Sequence, residues 1–213
     1  MRNVDPSVYE DTPRPVIAIG NDYPPAFELA RHTHRRAQLL YPAEGVVTVD
    51  TAHGAWVVPP ERAVWIPAGA PHAVSMVGSV RTRSVLVSPG LCPARGARCE
   101  VLAVSNLLRA LLIESVDLAA DYAEDGRDGL VMKLLIAEID RAPVIPLAVP
   151  FPHSPALRAR CHAFVDRPDA RQGIDDWAAA LRLNRRAFTR LFRRETGMSF
   201  AEWRQQACVL AAL

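Results

Sequence analysis

Two apolar stripes separated by a three-residue break, between Gly173 and Trp203, constrain this chain more than anything else in it. Ile174, Trp177, Ala178 and Leu181 recur at i, i+3, i+4 and i+7, one face of a short helix. Asp175 and Asp176 fall in its first turn, where carboxylates suit the positive end of the helix dipole. Arg182-Leu183-Asn184 reads as a turn, with Asn184 placed to cap a second helix. That helix turns Phe188, Leu191 and Phe192 inward and Arg185, Arg186, Thr189, Arg190 and Arg193 outward, with Arg194 beside them. Gly197 stands where a left-handed C-cap forms. The pattern predicts a helix-turn-helix. An apolar back and a guanidinium front suit the major groove of double-stranded DNA, Arg186 and Arg190 facing base edges and Arg193 and Arg194 facing phosphates. The plainer alternative is a solvated arginine face on two packed helices.

Charge is distributed to match. The chain of 213 residues carries a net charge of +2, yet from Ser154 onward 11 arginines face six acids. The remainder is therefore acidic, and the surface suited to a polyanion lies toward the C-terminus. No apolar run is long enough to span a bilayer, and Met1-Arg2-Asn3-Val4-Asp5 lacks a signal-peptide core, so a cytoplasmic protein is expected. Cys92, Cys99, Cys161 and Cys208 have no metal-finger spacing and read as free thiols. Nothing beside Cys92 or Cys99 would activate a thiol, so the pair is not read as a redox switch.

The first hundred residues carry a different period. Val46-Val47-Thr48-Val49, Ala55-Trp56-Val57-Val58, Ala63-Val64-Trp65-Ile66 and Val80 to Val87 are short β-rich runs divided by turn residues such as Ala52-His53-Gly54. Such spacing predicts a small barrel or sandwich over 1–100. Helical periodicity follows over 101–142. Ser105 caps a helix with Leu107, Leu108, Leu111, Leu112 and Val116, and Asp125 to Asp140 forms another with Leu130, Leu134 and Ile139 inward. These stripes exceed what one barrel face covers, so the two helices are expected to pair two copies as a homodimer. Prolines 143, 146, 150, 152 and 155 suggest a stiff linker over 143–154, ahead of a helical domain over 155–213 that opens with a helix from Ala156 to Val165.

The strand-rich part holds a second constellation. His32 and His34 are two apart and Gln38 lies at an even offset, so one strand would present all three to one face. Pro67-Ala68-Gly69-Ala70-Pro71-His72 follows as a turn delivering a third imidazole. His32, His34, Gln38 and His72 form a donor set for one divalent ion such as Zn, Ni, Mn or Fe. The alternative is a metal-free pocket in which the same groups hydrogen-bond a small molecule. Trp56 and Trp65 fit core packing better than a pocket wall, and His53, His153 and His162 are assigned no function.

Two resemblances sharpen these readings. The run from Ile174 through Arg190-Leu191-Phe192 to Glu195-Thr196-Gly197-Met198-Ser199 strongly resembles the AraC/XylS family of transcription regulators, over about 55 C-terminal residues. That family carries two helix-turn-helix units joined by a long helix. Here Ser199 to Glu202 opens such a connecting helix and the sequence stops at Leu213, so only the first unit is expected, in a fragment or a truncated regulator. The histidine region resembles the cupin family, matching at His32, His34 and Gly45 and again at Pro67, Gly69 and His72. Gln38 stands where that family has its Glu ligand, which removes the one anionic donor. Ala26 and Glu61 stand where each motif opens with Gly, and Met76 where the second often ends in Asn.

Together these imply an α+β chain: an N-terminal cupin-type β-barrel, two interface helices and a C-terminal all-α helix-turn-helix segment. The resemblance implies a non-enzymatic transcription regulator in which a small-molecule effector or metal in the barrel alters binding to an operator. Two alternatives remain beside it. One is a metal-dependent cupin enzyme, a dioxygenase or isomerase, with an appended helical domain. The other is a truncated, DNA-incompetent dimer partner.

Overall fold

A computed structural model of the chain describes residues 6–145, 148–169 and 171–211. Met1 to Asp5, Pro146 and Leu213, all named above, lie outside the described residues. Residues 6–50 and 57–145 form one compact unit, and residues 51–56 with the described residues beyond 147 form another.

The first unit is built from β1 (Val16–Tyr23), β2 (Glu28–His32), β3 (Ala37–Thr51), β5 (Arg62–Ile66), β6 (His72–Val87), β7 (Glu100–Ala103) and β8 (Val144–Ile145), with β4 (Gly54–Val58) folding back on β3. The strand order is β1-β6-β3-β5-β7-β8, and β2 also pairs β6. β1 runs antiparallel to β6 from Val16 opposite Val87 to Tyr23 opposite Val80. β2 pairs Glu28 with Ser75 and His32 with His72, with a register shift between Leu29 and His32. That pairing sets two of the site histidines directly opposite each other.

Two tight passages explain features of the sequence. Gly45 has φ of +74°, and a Cβ there would lie 2.4 Å from the Ser79 carbonyl oxygen, so no side chain fits. Ala26 and Glu61, the residues found where glycine is usual, also adopt left-handed backbone, with φ of 59° and 67°. The turns have kept their glycine geometry with other residues in place, each at a cost of about 1–2 kcal/mol.

Two helices cover the strands. In α1 (Asn106–Ser115) the Ser105 side chain caps the first turn by accepting from the Leu108 N–H at 3.0 Å. α2 (Arg127–Arg141) follows. Leu108 and Leu112 of α1 and Met132, Leu135 and Ile139 of α2 pack against Leu39, Tyr41, Trp65, Val85 and Leu102 of the strands. The expected phase of α2 is corrected here. Ile139 is inward, but Leu130 and Leu134 are 62% and 43% exposed, and Met132 and Leu135 take the buried places. The strands take up the face carrying Met132, Leu135 and Ile139, while Gly129 lies against the helix's own entry loop, where a Cβ would stand 2.0 Å from the Glu124 carbonyl oxygen.

A buried arginine organises the N-terminal segment. Arg36 donates to the carbonyls of Thr12, Arg14 and Pro15 and to Ser88 Oγ, at 2.7–3.2 Å. Burial pushes its pKa down from the usual arginine value.

In the second unit β9 (Ala148–Pro150) pairs with β4 at Gly54 to Trp56. The stretch expected to be a linker therefore contains ladder pairing, β8 on β7 and β9 on β4. Four helices follow: α3 (Pro155–Asp166), α4 (Ile174–Ala180), α5 (Arg185–Thr196) and α6 (Phe200–Ala211). Their core is aromatic. Trp177 is fully buried, with ring contacts at 4.9–6.5 Å to Phe164, Phe188, Phe192, Phe200 and Trp203. Two polar ties close the unit. Trp203 Nε1 donates to the Pro150 carbonyl at 2.8 Å, and the Glu195 carboxylate accepts from both the N–H and the hydroxyl of Ser154. Among the described residues, no helix is long and apolar enough to cross a membrane.

Candidate functional site: a three-histidine cavity and an arginine-faced helix

The histidines come from three places. His32 ends β2, His72 opens β6 and His34 lies in the bend between β2 and β3. One continuous strand was the expected reason for their convergence. The strand in fact stops at His32, and the bend carries His34 inward, held where its carbonyl accepts from Gly69 N at 2.8 Å. The rings converge all the same, with centroids 4.4 Å apart for His32 and His72, 4.8 Å for His32 and His34, and 5.0 Å for His34 and His72. One nitrogen from each lies within 4.8 Å of the others.

Hydrogen bonds fix which nitrogen faces which way. His32 Nδ1 donates to the Ala30 carbonyl at 2.7 Å and His72 Nδ1 to that of Ala70 at 2.9 Å. Neutral imidazole has one donor nitrogen and one acceptor, so Nε2 is the acceptor in both. His72 is wholly buried and its Nε2 has no hydrogen-bond partner. Burial also pushes its pKa down to about 4, which keeps the ring neutral near pH 7. His34 Nε2 meets Gln38 Oε1 at 2.8 Å, and Gln38 Nε2 donates to Ser84 Oγ at 3.1 Å. The amide of Gln38 is thus spent on orienting His34, a relay behind the cluster rather than a fourth donor within it.

The cluster opens on a cavity of about 600 Å³. Its apolar wall includes Ile19, Leu29, Leu40, Val74 and Met76. Trp56 and Trp65 do not line it; both are buried in packing.

α5 presents the second surface. Asn184 caps it by accepting from the Ala187 N–H at 2.8 Å, and Gly197 ends it in the left-handed conformation. Phe188 and Phe192 are buried, while Arg185, Arg186, Thr189, Arg190, Arg193 and Arg194 are all exposed. Three of the six already have local partners, among them Arg194, whose guanidinium lies 3.6 Å from the Glu195 carboxylate. Arg185 pairs with Asp175 at 3.2 Å, and Thr189 Oγ1 donates to the Arg185 carbonyl at 2.8 Å. At the start of the next helix, Ser199 and Glu202 form the expected reciprocal cap.

The family described as the AraC-like ligand-binding domain matches residues 14–135, more than half the chain and the stretch that holds the cluster and the cavity. The chain belongs to the AraC family. It is similar to the HTH-type transcriptional regulator NimR of Escherichia coli (strain K12), 27% identical over 182 residues that cover 85% of this chain and 66% of that protein. The chain thus spans just under two thirds of that relative's length. Among solved structures, ToxT from Vibrio cholerae O395 is 8% identical, with a TM-score of 0.44 over 91% of this chain and 79% of that one. A cupin superfamily protein from Desulfitobacterium hafniense DCB-2 is 12% identical, with a TM-score of 0.32 over 34% of this chain and 77% of that one. This AraC-family chain is mixed α and β, with a strand-rich domain first and a helical segment after it.

Sequence reasoning did not anticipate Ser84, the backbone acceptors Ala30 and Ala70, or the apolar wall of the cavity. Part of the wall was within reach. Val74 and Met76 lie at even offsets from His72 on β6, and Leu40 at an even offset from Gln38 on β3. The cysteines conform to expectation as free thiols, with burial pushing Cys92 up to about 11 and Cys99 to about 12.

Proposed function

We propose that this AraC-family chain is a non-enzymatic cytoplasmic transcription regulator, with its cavity as the sensing site and α5 as the element that enters the DNA major groove. The observation that carries the reading is α5 itself. Its cap, its left-handed stop and its buried Phe188 and Phe192 hold an unbroken exposed stripe of Arg186, Arg190 and Arg193 outward. Arg186 and Arg190 read base edges, and Arg193 and Arg194 hold phosphates. Arg185 stays with Asp175 and Thr189 with its own helix, so both contribute less.

In the cavity, the three converging rings and the orphaned, buried His72 Nε2 suit a divalent ion, which His32, His34 and His72 would hold. Zn, Ni, Mn and Fe all fit imidazole donors. Such an ion supplies a Lewis-acidic centre. The chain's own part is to fix the rings, through Ala30, Ala70 and the Gln38–Ser84 relay. The effector binds in the cavity and shifts the balance between arrangements that do and do not fit the operator.

Those arrangements belong to a homodimer formed through α1 and α2. Leu107, Ile113, Leu130 and Leu134 are exposed on these helices and form an apolar surface suited to a second copy.

Fluorescence anisotropy against the DNA upstream of the chain's own gene tests the DNA reading. Arg186→Ala is expected to cost about 1–3 kcal/mol, concentrated at one base position, whereas Arg194→Ala lowers the salt slope by about 1. Unchanged affinity and salt dependence in the Arg186→Ala/Arg190→Ala pair would overturn it. Sedimentation equilibrium tests the dimer, since Leu130→Glu/Leu134→Glu is expected to halve the mass of the species in solution. A mass that does not change places the contact elsewhere.

A further inference from the structure

The charge balance of the histidine cluster restricts what the cavity can sense. Every donor the chain offers there is neutral. His32, His34 and His72 bring imidazoles, and Gln38, the one nearby side chain where a carboxylate would have balanced the ion, is an amide bonded to His34 and Ser84. Among the described residues no Asp or Glu joins the group. Asp22 lines the cavity away from the group, and the Arg81 guanidinium 3.9 Å from it is shared with Glu44 at 3.1 Å. A divalent ion on these three rings therefore has no anionic ligand from the chain, and Ile19, Leu29, Leu40, Val74 and Met76 wall the cavity beside it. An uncompensated charge against apolar side chains is costly, and the cost falls when an anion neutralises it.

All three rings also line the cavity. With one nitrogen of each within 4.8 Å of the others, an ion between them borders the cavity. A ligand entering from the cavity meets the ion head first and leaves its remainder against the apolar wall. The volume of about 600 Å³ admits a small organic molecule and not merely a halide or hydroxide.

We propose that the effector is a small carboxylate with an apolar tail, and that its oxygens complete the coordination and the charge of an ion held by His32, His34 and His72. A 2-oxo acid with a short branched chain represents the class, with two adjacent oxygens at one end and hydrocarbon at the other. The substitution of glutamine at position 38 then has a purpose, because it leaves the negative charge to be supplied by the molecule being sensed. This rests on reading the cavity as the sensing site.

The test uses the full chain loaded with one equivalent of Co²⁺, whose visible absorption bands report its ligands. The probe is α-ketoisocaproate, with isoamyl alcohol as the neutral molecule of similar hydrocarbon shape. The acid is expected to shift the cobalt bands saturably at one equivalent, with the cobalt still bound after gel filtration, and the alcohol to leave them unchanged. Gln38→Glu is expected to hold cobalt at least as firmly and to weaken the acid by about tenfold, since the protein then supplies the charge. Cobalt that binds but ignores the acid, or responds equally to the alcohol, overturns the inference and leaves the regulator reading standing. Failure to bind cobalt at all also overturns it. The DNA measurements on Arg186 and Arg190 decide the regulator reading separately, as they involve neither ion nor acid.

Discussion

The two units place their candidate functional groups differently with respect to their own cores. In the helical unit the buried groups are the rings around Trp177, and the arginines of α5 stand in solvent. In the strand unit two of the three imidazoles, those of His34 and His72, are themselves buried, and their hydrogen bonds are part of the packing. The difference teaches that function and stability separate cleanly in one unit and are entangled in the other. An arginine can leave α5 without disturbing the core behind it. A histidine cannot leave the cavity without opening a hole or orphaning a carbonyl.

The largest expected effect tests the separable side. Trp177→Ala removes the ring at the centre of the aromatic core and is expected to cost about 3–5 kcal/mol. Arg186→Ala and Arg190→Ala should each stay within about 0.5 kcal/mol of the parent chain. Chemical denaturation followed by tryptophan fluorescence and circular dichroism measures all three. A large loss in either arginine variant would break the comparison.

A second prediction concerns the tie between Glu195 and Ser154. Burial raises the pKa of this carboxyl, but the two bonds from Ser154, together with the Arg194 guanidinium, more than offset that and hold it below the usual carboxylate range. The folded state therefore binds the proton less readily than the unfolded chain. The stabilisation is full above the ordinary carboxylate pKa of about 4.5 and fades as pH falls through the lowered folded value. Glu195→Ala should cost about 2 kcal/mol at pH 7. Its stability should converge on that of the parent chain in acid, and a gap independent of pH down to about pH 3 would show that the carboxylate's charge plays no part.

The smallest effect sharpens the picture of the strand unit. Ala26→Gly and Glu61→Gly relieve left-handed backbone at two turns, and each is expected to stabilise by about 1 kcal/mol. Thermal melts that shift downward for both variants would show that the side chains offset their own strain.

How well each feature could be read from sequence follows the range of the interaction behind it. The caps at Ser105, Asn184, Gly197 and Ser199 depend on residues three or four positions away, and all four form as expected. The histidines were legible because motif spacing records a turn geometry, although His34 reaches the cluster from a bend and not from a strand. Ser84 stands 46 positions from Gln38, and no local pattern links them. The α2 phase misled because Leu130 and Leu134 are apolar without being buried. Met132 and Leu135 pack against the strands in their place, a contact that no count of hydrophobic residues along the helix reveals. Ala26 and Glu61 stood out as departures from a glycine pattern, but only the backbone angles show that the geometry persisted.

The Ser154–Glu195 tie also governs where the chain can be divided by an experimenter or a protease. The proline-rich stretch before α3 looks like a natural place to cut. Yet a helical fragment starting at Pro155 would surrender Ser154's donors to Glu195, the Pro150 acceptor of Trp203 and the pairing of β9 at once. An isolated helical piece of this protein has to begin upstream of Ala148, and even then it lacks the hairpin tip at residues 54–56 on which β9 is laid.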